Sequence, residues 1–238
     1  MTVSGLEIRE RAKTLGICIP SGIESQFEIH GSMVIEWNQR LNLTRIPEEE
    51  MAEKHFVDSL TLLLVPEVER AHTVIDVGSG AGFPGIPLKI ARPELTITLV
   101  DSLGKRVKFL DSVIKSLNLH GVSCYHRRAE EIGQDKEHRE QYDVALARDV
   151  APLVSLSEYL LPLVRVGGVM VAMKGPSGRE EIPEAQRALT LLGGRVQNVI
   201  DTRLPSGDVR QLIVIEKVKG TPAQYPRRPG MAKRNPLI

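Results

Sequence analysis

Cysteine is nearly absent from this chain of 238 residues, which holds only Cys18 and Cys124. A disulfide framework is therefore not expected, and the separation of the two suits no metal site. Both points fit a reducing compartment. Aromatic residues make up only 4%, which argues against a broad base-stacking platform. No stretch approaches the ~18 uninterrupted apolar residues of a membrane span. The first residues, Met1-Thr2-Val3-Ser4-Gly5-Leu6-Glu7, lack the basic and apolar regions of a signal peptide. A soluble, cytoplasmic protein is the expectation. An excess of one charge is missing too. The formal net charge is +1, so bulk charge announces no nucleic-acid partner.

What is present is enough apolar side chain, 42% of residues, for a sizeable core. The length suits one large domain with an appendage. Charge is unevenly placed. Residues 1–70 carry 12 acids and 7 bases, whereas residues 219–238 carry five bases (Lys219, Arg227, Arg228, Lys233, Arg234) and no acid. We expect an N-terminal helical region (1–70), a catalytic domain (71–218) and a basic, proline-rich tail (219–238) that runs extended.

Ile23, Phe27, His30, Val34, Trp37 and Leu41 recur at spacings of four and three and predict one helical face. On that face His30 and Trp37 read as core residues. Pro47, followed by Glu48, Glu49 and Glu50, suits a first helical turn, with a helix continuing toward residues 62–64. From residue 73 the pattern changes. β-branched runs at 73–77, 96–100, 122–126, 142–147, 168–174, 195–204 and 209–216 predict strands. Helices are predicted near 85–91, 104–118, 152–163 and 178–193. Such alternation argues for a mostly parallel sheet covered on both faces. The last two runs are joined by Pro205-Ser206-Gly207-Asp208 and should form an antiparallel hairpin, because a parallel pair needs a longer crossover.

The segment from Val74 to Gly85 follows a strand and precedes a helix. In that setting a glycine run lets the backbone approach a ligand closely. Gly78, Gly80 and Gly82 give G-x-G-x-G, and Phe83 stands where a dinucleotide fingerprint needs its third glycine. That spacing favours S-adenosylmethionine, which has no phosphate, over a dinucleotide. Asp101 closes the second strand, 23 residues beyond Gly78, where a carboxylate typically meets ribose hydroxyls. Ala129 and Glu130 follow the third strand, where an adenine edge would lie, and Arg148 and Asp149 follow the fourth. Asp76 has two readings: it orders the loop through backbone N–H groups, or it contacts the donor's amino group. The whole predicts a class I S-adenosylmethionine-dependent methyltransferase fold: Rossmann-like, α/β, seven-stranded and mostly parallel, with a terminal antiparallel hairpin and an N-terminal helical extension.

Lys105, Arg106 and Lys108 fall in the first turn of a predicted helix, where cations oppose the macrodipole. An anion such as an RNA phosphate would explain them. The same reading extends to Arg227 and Arg228 of the tail, and Lys174 ends the fifth strand at the ligand crevice. His55 packs beside Phe56 and Leu60 and is given no catalytic role.

At this point the chain resembles the ribosomal RNA small subunit methyltransferase G family, also called the glucose-inhibited division protein B family. The carriers are Trp37-Asn38, Leu41-Asn42-Leu43-Thr44, His55 to Leu60, Asp76 to Pro87, Asp101 to Arg106, Arg148, Lys174-Gly175 and Tyr225 to Gly230. The resemblance covers nearly the whole chain. One departure is Asp149, where the family pattern leads us to expect alanine. The resemblance implies methyl transfer from S-adenosylmethionine to N7 of one guanine in 16S ribosomal RNA, leaving S-adenosylhomocysteine. It places the donor at Gly78, Phe83, Ala129, Glu130 and Arg148. The implied partner is 16S ribosomal RNA or a small-subunit particle, with the protein a monomer away from any membrane. Guanine N7 has a free lone pair, so no general base and no catalytic metal are expected. Positioning alone would carry the reaction. The alternatives are a methyltransferase of the same fold acting on another RNA, a protein or a small molecule, a dinucleotide-dependent dehydrogenase, and a non-catalytic RNA-binding module.

Overall fold

The computed structural model describes residues 3–238. Helix α1 (Gly5–Thr14) is capped by Ser4, whose side chain accepts from the Glu7 N–H. Helix α2 (Glu24–Leu41) buries Phe27, His30 and Val34 and ends on Asn42 in the left-handed region. Trp37 meets Phe109 edge-on at 5.5 Å, so the expected core face is the observed one.

The helix expected from Pro47 is not uniform. It begins as α3 (Glu48–Met51), widens into a π-helical turn (Ala52–Val57), narrows through α4 (Asp58–Leu60) and ends in a 3-10 turn (Thr61–Leu64). A tertiary contact accompanies the widening. The Lys54 carbonyl accepts from Arg148 Nη1 at 3.2 Å, and π turns of this kind gather at functional sites. A short α5 (Pro66–Glu69) then leads into the sheet.

The remaining elements alternate: β1 (Thr73–Val77), α6 (Gly85–Ala91), β2 (Thr96–Asp101), α7 (Gly104–Ser116), β3 (Val122–His126), α8 (Ala129–Ile132), β4 (Tyr142–Arg148), α9 (Leu153–Leu160), β5 (Val164–Lys174), α10 (Glu181–Leu192), β6 (Gly194–Arg203), β7 (Val209–Lys217) and α11 (Met231–Arg234). The sheet order is β3-β2-β1-β4-β5-β7-β6. The first five strands are parallel, and β7 runs antiparallel to both β5 and β6. The expected hairpin is therefore present, with β7 inserted between β5 and β6.

Alternation along β1 feeds two cores. Val74 packs with the N-terminal helices, whereas Ile75 and Val77 pack with α9 and α10. The strand order reverses between β1 and β4, which opens a crevice at the carboxyl ends of the strands. No helix among the described residues is long and apolar enough to cross a membrane.

The tail departs from expectation. It is not a free extended segment, because Tyr225 and Ala232 are buried and α11 packs on α9. Its prolines prevent a strand or long helix, but its carbonyls are held by Arg139 and Gln134. Composition reports the first fact and is silent on the second.

Candidate functional site

The glycine loop is braced from three directions. The Gly78 and Ser79 N–H groups both donate to the Val100 carbonyl, at 2.7 and 3.1 Å. The Gly80 N–H donates to Asp101 Oδ2 at 2.9 Å, and Asp101 Oδ1 accepts from the Leu103 N–H at 2.8 Å. Asp76 Oδ2 accepts from the Gly85 N–H at 3.0 Å, which is the loop-ordering alternative for Asp76. Its Oδ1 is buried with no partner among the described residues, and burial pushes its pKa up to about 7. Gly78 is required at its position. Its φ is +79°, and a Cβ there would stand 2.6 Å from Val150 Cγ2.

From the other side the loop rests on the N-terminal helices. His30 Nε2 lies 2.8 Å from the Ala81 carbonyl, which requires that nitrogen to carry the proton. Burial lowers the His30 pKa to about 4. His30 is the core residue expected, and it also props the loop. Phe83 is sandwiched between two imidazoles, His30 at 4.7 Å and His55 at 4.3 Å between ring centroids. Arg148 stands over the same ring, 5.5 Å from its centroid.

His55 is the hub of a wider network. Its Nδ1 accepts from Arg148 Nη2 at 2.8 Å, because arginine can only donate. Its Nε2 must then hold the proton and donate to Thr44 Oγ1 at 2.7 Å. Burial, then the Arg148 charge, lowers its pKa to about 2. Asp58, buried, accepts from Arg148 Nη1 at 2.9 Å and from Arg210 Nε at 2.8 Å.

Two lobes open around this frame. One, of about 500 Å³, is lined by Gly78, Asp101, Ala129, Glu130, Tyr159 and Gly230, among others. The second, of about 420 Å³, shares Gly78 and Asp101 and adds His55, Phe83, Arg106 and Arg148. Their sizes match small-ligand pockets. Glu130 is 6% exposed, and its Oε1 accepts from the Gly230 N–H at 2.8 Å. Its Oε2 has no hydrogen-bond donor among the described residues, so an acceptor of a mostly buried residue is left open at the lobe. An adenosine with N–H and hydroxyl donors suits the Asp101 and Glu130 side of the first lobe.

A third cavity of about 690 Å³ adjoins the second at His55, Arg148 and Asp149. Arg45, Lys54, Lys174 and Arg210 also line it. Asp149 is exposed at φ +55°, a conformation that aspartate tolerates.

A model of the family described as rRNA small subunit methyltransferase G matches residues 23–211. The chain belongs to that family. Relatives of the rRNA small subunit methyltransferase G name include those of Desulforamulus reducens, 46% identical over 98% of each chain, and Pelotomaculum thermopropionicum, 47% identical over 100% of each. Solved structures agree on the fold. A transferase of Pyrococcus horikoshii superposes with a TM-score of 0.52 at 14% identity, covering 66% of this chain and 62% of its own. A methyltransferase from Thermoplasma acidophilum does so with 0.50 at 14% identity, covering 63% and 70%.

For this member of the rRNA small subunit methyltransferase G family, the structure brings Gly78, Phe83, Asp101, Ala129, Glu130 and Arg148 to one cleft. The cations expected at RNA divide. Lys105 and Arg228 are exposed. Arg106 lines the second lobe, with its Nη1 3.5 Å from Asp101 Oδ2. Arg227 clasps the buried Glu158, donating from its backbone N and from Nη2 at 2.8 and 2.6 Å. Lys174 lines the third cavity. Its ammonium donates to the Ala151 carbonyl and to Glu181, both at 2.8 Å. Both charges have a carboxylate partner within the protein, and both residues are half-buried. Sequence reasoning also missed Thr44, Asp58 and Arg210. The first two lie in the quoted motifs, whereas nothing in the sequence sets Arg210 apart from other strand arginines.

Proposed function

We propose that this chain, as a cytoplasmic monomer, transfers a methyl group from S-adenosylmethionine to N7 of a guanine in 16S ribosomal RNA. The first lobe takes the adenosine, with Asp101 beside the ribose and Glu130 beside the adenine. The second lobe, under the glycine loop, takes the methionine end. The guanine enters from the third cavity, past Arg148.

The observation that carries this reading is that the two titratable groups beside the glycine loop, His55 and Asp101, are both engaged in the frame. His55 is the histidine lining the cleft, and both ring nitrogens are occupied. Asp101 already accepts two backbone N–H groups. Neither is free to take a proton, and the N7 lone pair needs no base, so the exposed carboxylate of Asp149 beside the second and third cavities is not required for the step. Bound donor supplies an electrophilic methyl on a sulfonium. The chain's residues fix the approach: Gly78 admits close contact, the Phe83 stack holds Arg148, and Arg148 borders the guanine's entry. Alignment of this kind is worth effective molarities up to roughly 10⁵–10⁸ M.

The test is mass-spectrometric mapping of methylated bases in small-subunit RNA from cells with and without the protein, paired with transfer of labelled methyl by the purified enzyme. A single 7-methylguanine that disappears with the protein is the expected result. Labelling of small-molecule extracts but not of RNA would overturn the reading.

A further inference from the structure

The carboxy-terminal strap, residues 220–238, is fastened far more tightly than its composition suggests. The Thr221 and Pro222 carbonyls accept from Arg139 Nη2 at 2.8 and 3.2 Å, and the Tyr225 carbonyl accepts from Nη1 at 2.7 Å. Gln134 donates to the Pro226 carbonyl at 2.8 Å. Arg227 clasps Glu158, a carboxylate that is only 1% exposed. Past that anchor the chain turns at Gly230, whose φ is +81°. α11 then closes on Ser155, whose hydroxyl donates to the Ala232 carbonyl at 2.9 Å. The turn brings Gly230 and Lys233 to the wall of the first lobe.

We propose that this strap sets the adenosine end of the donor pocket by orienting Glu130. The inference rests on the reading of the first lobe as the adenosine site. The Gly230 N–H takes Glu130 Oε1 and thereby leaves Oε2 as the acceptor presented to the ligand. A buried carboxylate free to rotate would spread that acceptor over several directions. One oxygen pinned by a strap-borne N–H fixes the other, as outer partners fix ligating side chains elsewhere. Glu130 is the group that touches the donor, and Gly230 is a positioning residue. Arg227 lies outside the lobe and serves as the anchor that makes the turn reproducible.

Gly230→Pro tests the link in the full-length chain. Proline removes the N–H and fixes φ near −65°, so residues beyond 230 leave the lobe while the Arg227 clasp remains. Calorimetry with S-adenosylhomocysteine should show affinity about tenfold weaker, the worth of one charge-assisted hydrogen bond. In methyl transfer the loss should fall on the donor KM more than on kcat. In a Glu130→Ala background the same substitution should weaken binding less than about twofold, because the strap then has nothing to orient. In the unaltered chain, adding S-adenosylhomocysteine should slow amide hydrogen exchange across residues 228–233.

Unchanged affinity in Gly230→Pro overturns the proposal. So does a tenfold loss that persists in the Glu130→Ala background, which would mean a general structural role. Exchange that is indifferent to the ligand overturns it without any variant. If the intact, folded chain binds no S-adenosylhomocysteine at all, the reading of the lobe itself falls, and that result is distinct from the others.

Discussion

Phe83 lies between two histidines that are held neutral, His30 with a pKa near 4 and His55 near 2. In the unfolded chain both would titrate near 6.5. Between those values the unfolded state binds more protons, so each group's contribution is full above about pH 6.5 and declines as the pH falls. Asp76 runs the other way. Its pKa, raised to about 7, means the folded state holds the extra proton, so its contribution is full below about pH 4 and declines as the pH rises toward 7. The two histidines outnumber it below pH 6. Unfolding free energy should therefore rise with pH between 5 and 6. In His30→Phe that slope should be shallower by about 1.4 kcal/mol per pH unit, as read from urea melts. At the same scale, Gly78→Ala forces a Cβ toward Val150 at a φ of +79°. It should lower donor affinity by tenfold or more, while costing only about 1 kcal/mol of stability.

The π-helical turn at 52–57 and the end of β4 are joined through Arg148. This arginine bonds to the Lys54 carbonyl, His55 and Asp58. Asp58 also holds Arg210 of β7, so one carboxylate ties the N-terminal helices to two strands. Removing one partner of a buried ionic cluster typically costs about 3–5 kcal/mol. Asp58→Ala should lose about 3 kcal/mol in denaturant titration. Methyl transfer should fall further than stability alone accounts for, because Arg148 borders both the second lobe and the third cavity. Activity that merely tracks the folded fraction would show that Arg148 is structural only.

On the scale of the whole molecule, the cations proposed to meet RNA fall into two classes. Lys105 and Arg228 are exposed, whereas Arg227 is clasped by Glu158. Replacing Lys105 and Arg228 together with glutamine should weaken RNA binding. It should also flatten the plot of log K against log salt by roughly 0.7 for each single-strand phosphate no longer neutralised. Arg227→Gln should lower the melting temperature instead and leave that slope alone. A salt slope that responds to Arg227 and not to the other two would reverse the assignment.

The strands were legible because the central ones, β1, β2 and β4, are buried on both faces and all seven read as short β-branched runs between turn-forming residues. The place of Asp101 was legible because a βαβ unit has a nearly fixed length. Local chemistry of that sort determined the fold, the glycine loop and the residues that line the first lobe of the cleft. Only the tertiary structure decided which charges face outward. Arg148 meets Asp58 across 90 residues, and Arg227 meets Glu158 across 69. Periodicity and motif spacing describe a residue's own element. Pairing between elements depends on how their buried faces pack, which no local pattern states.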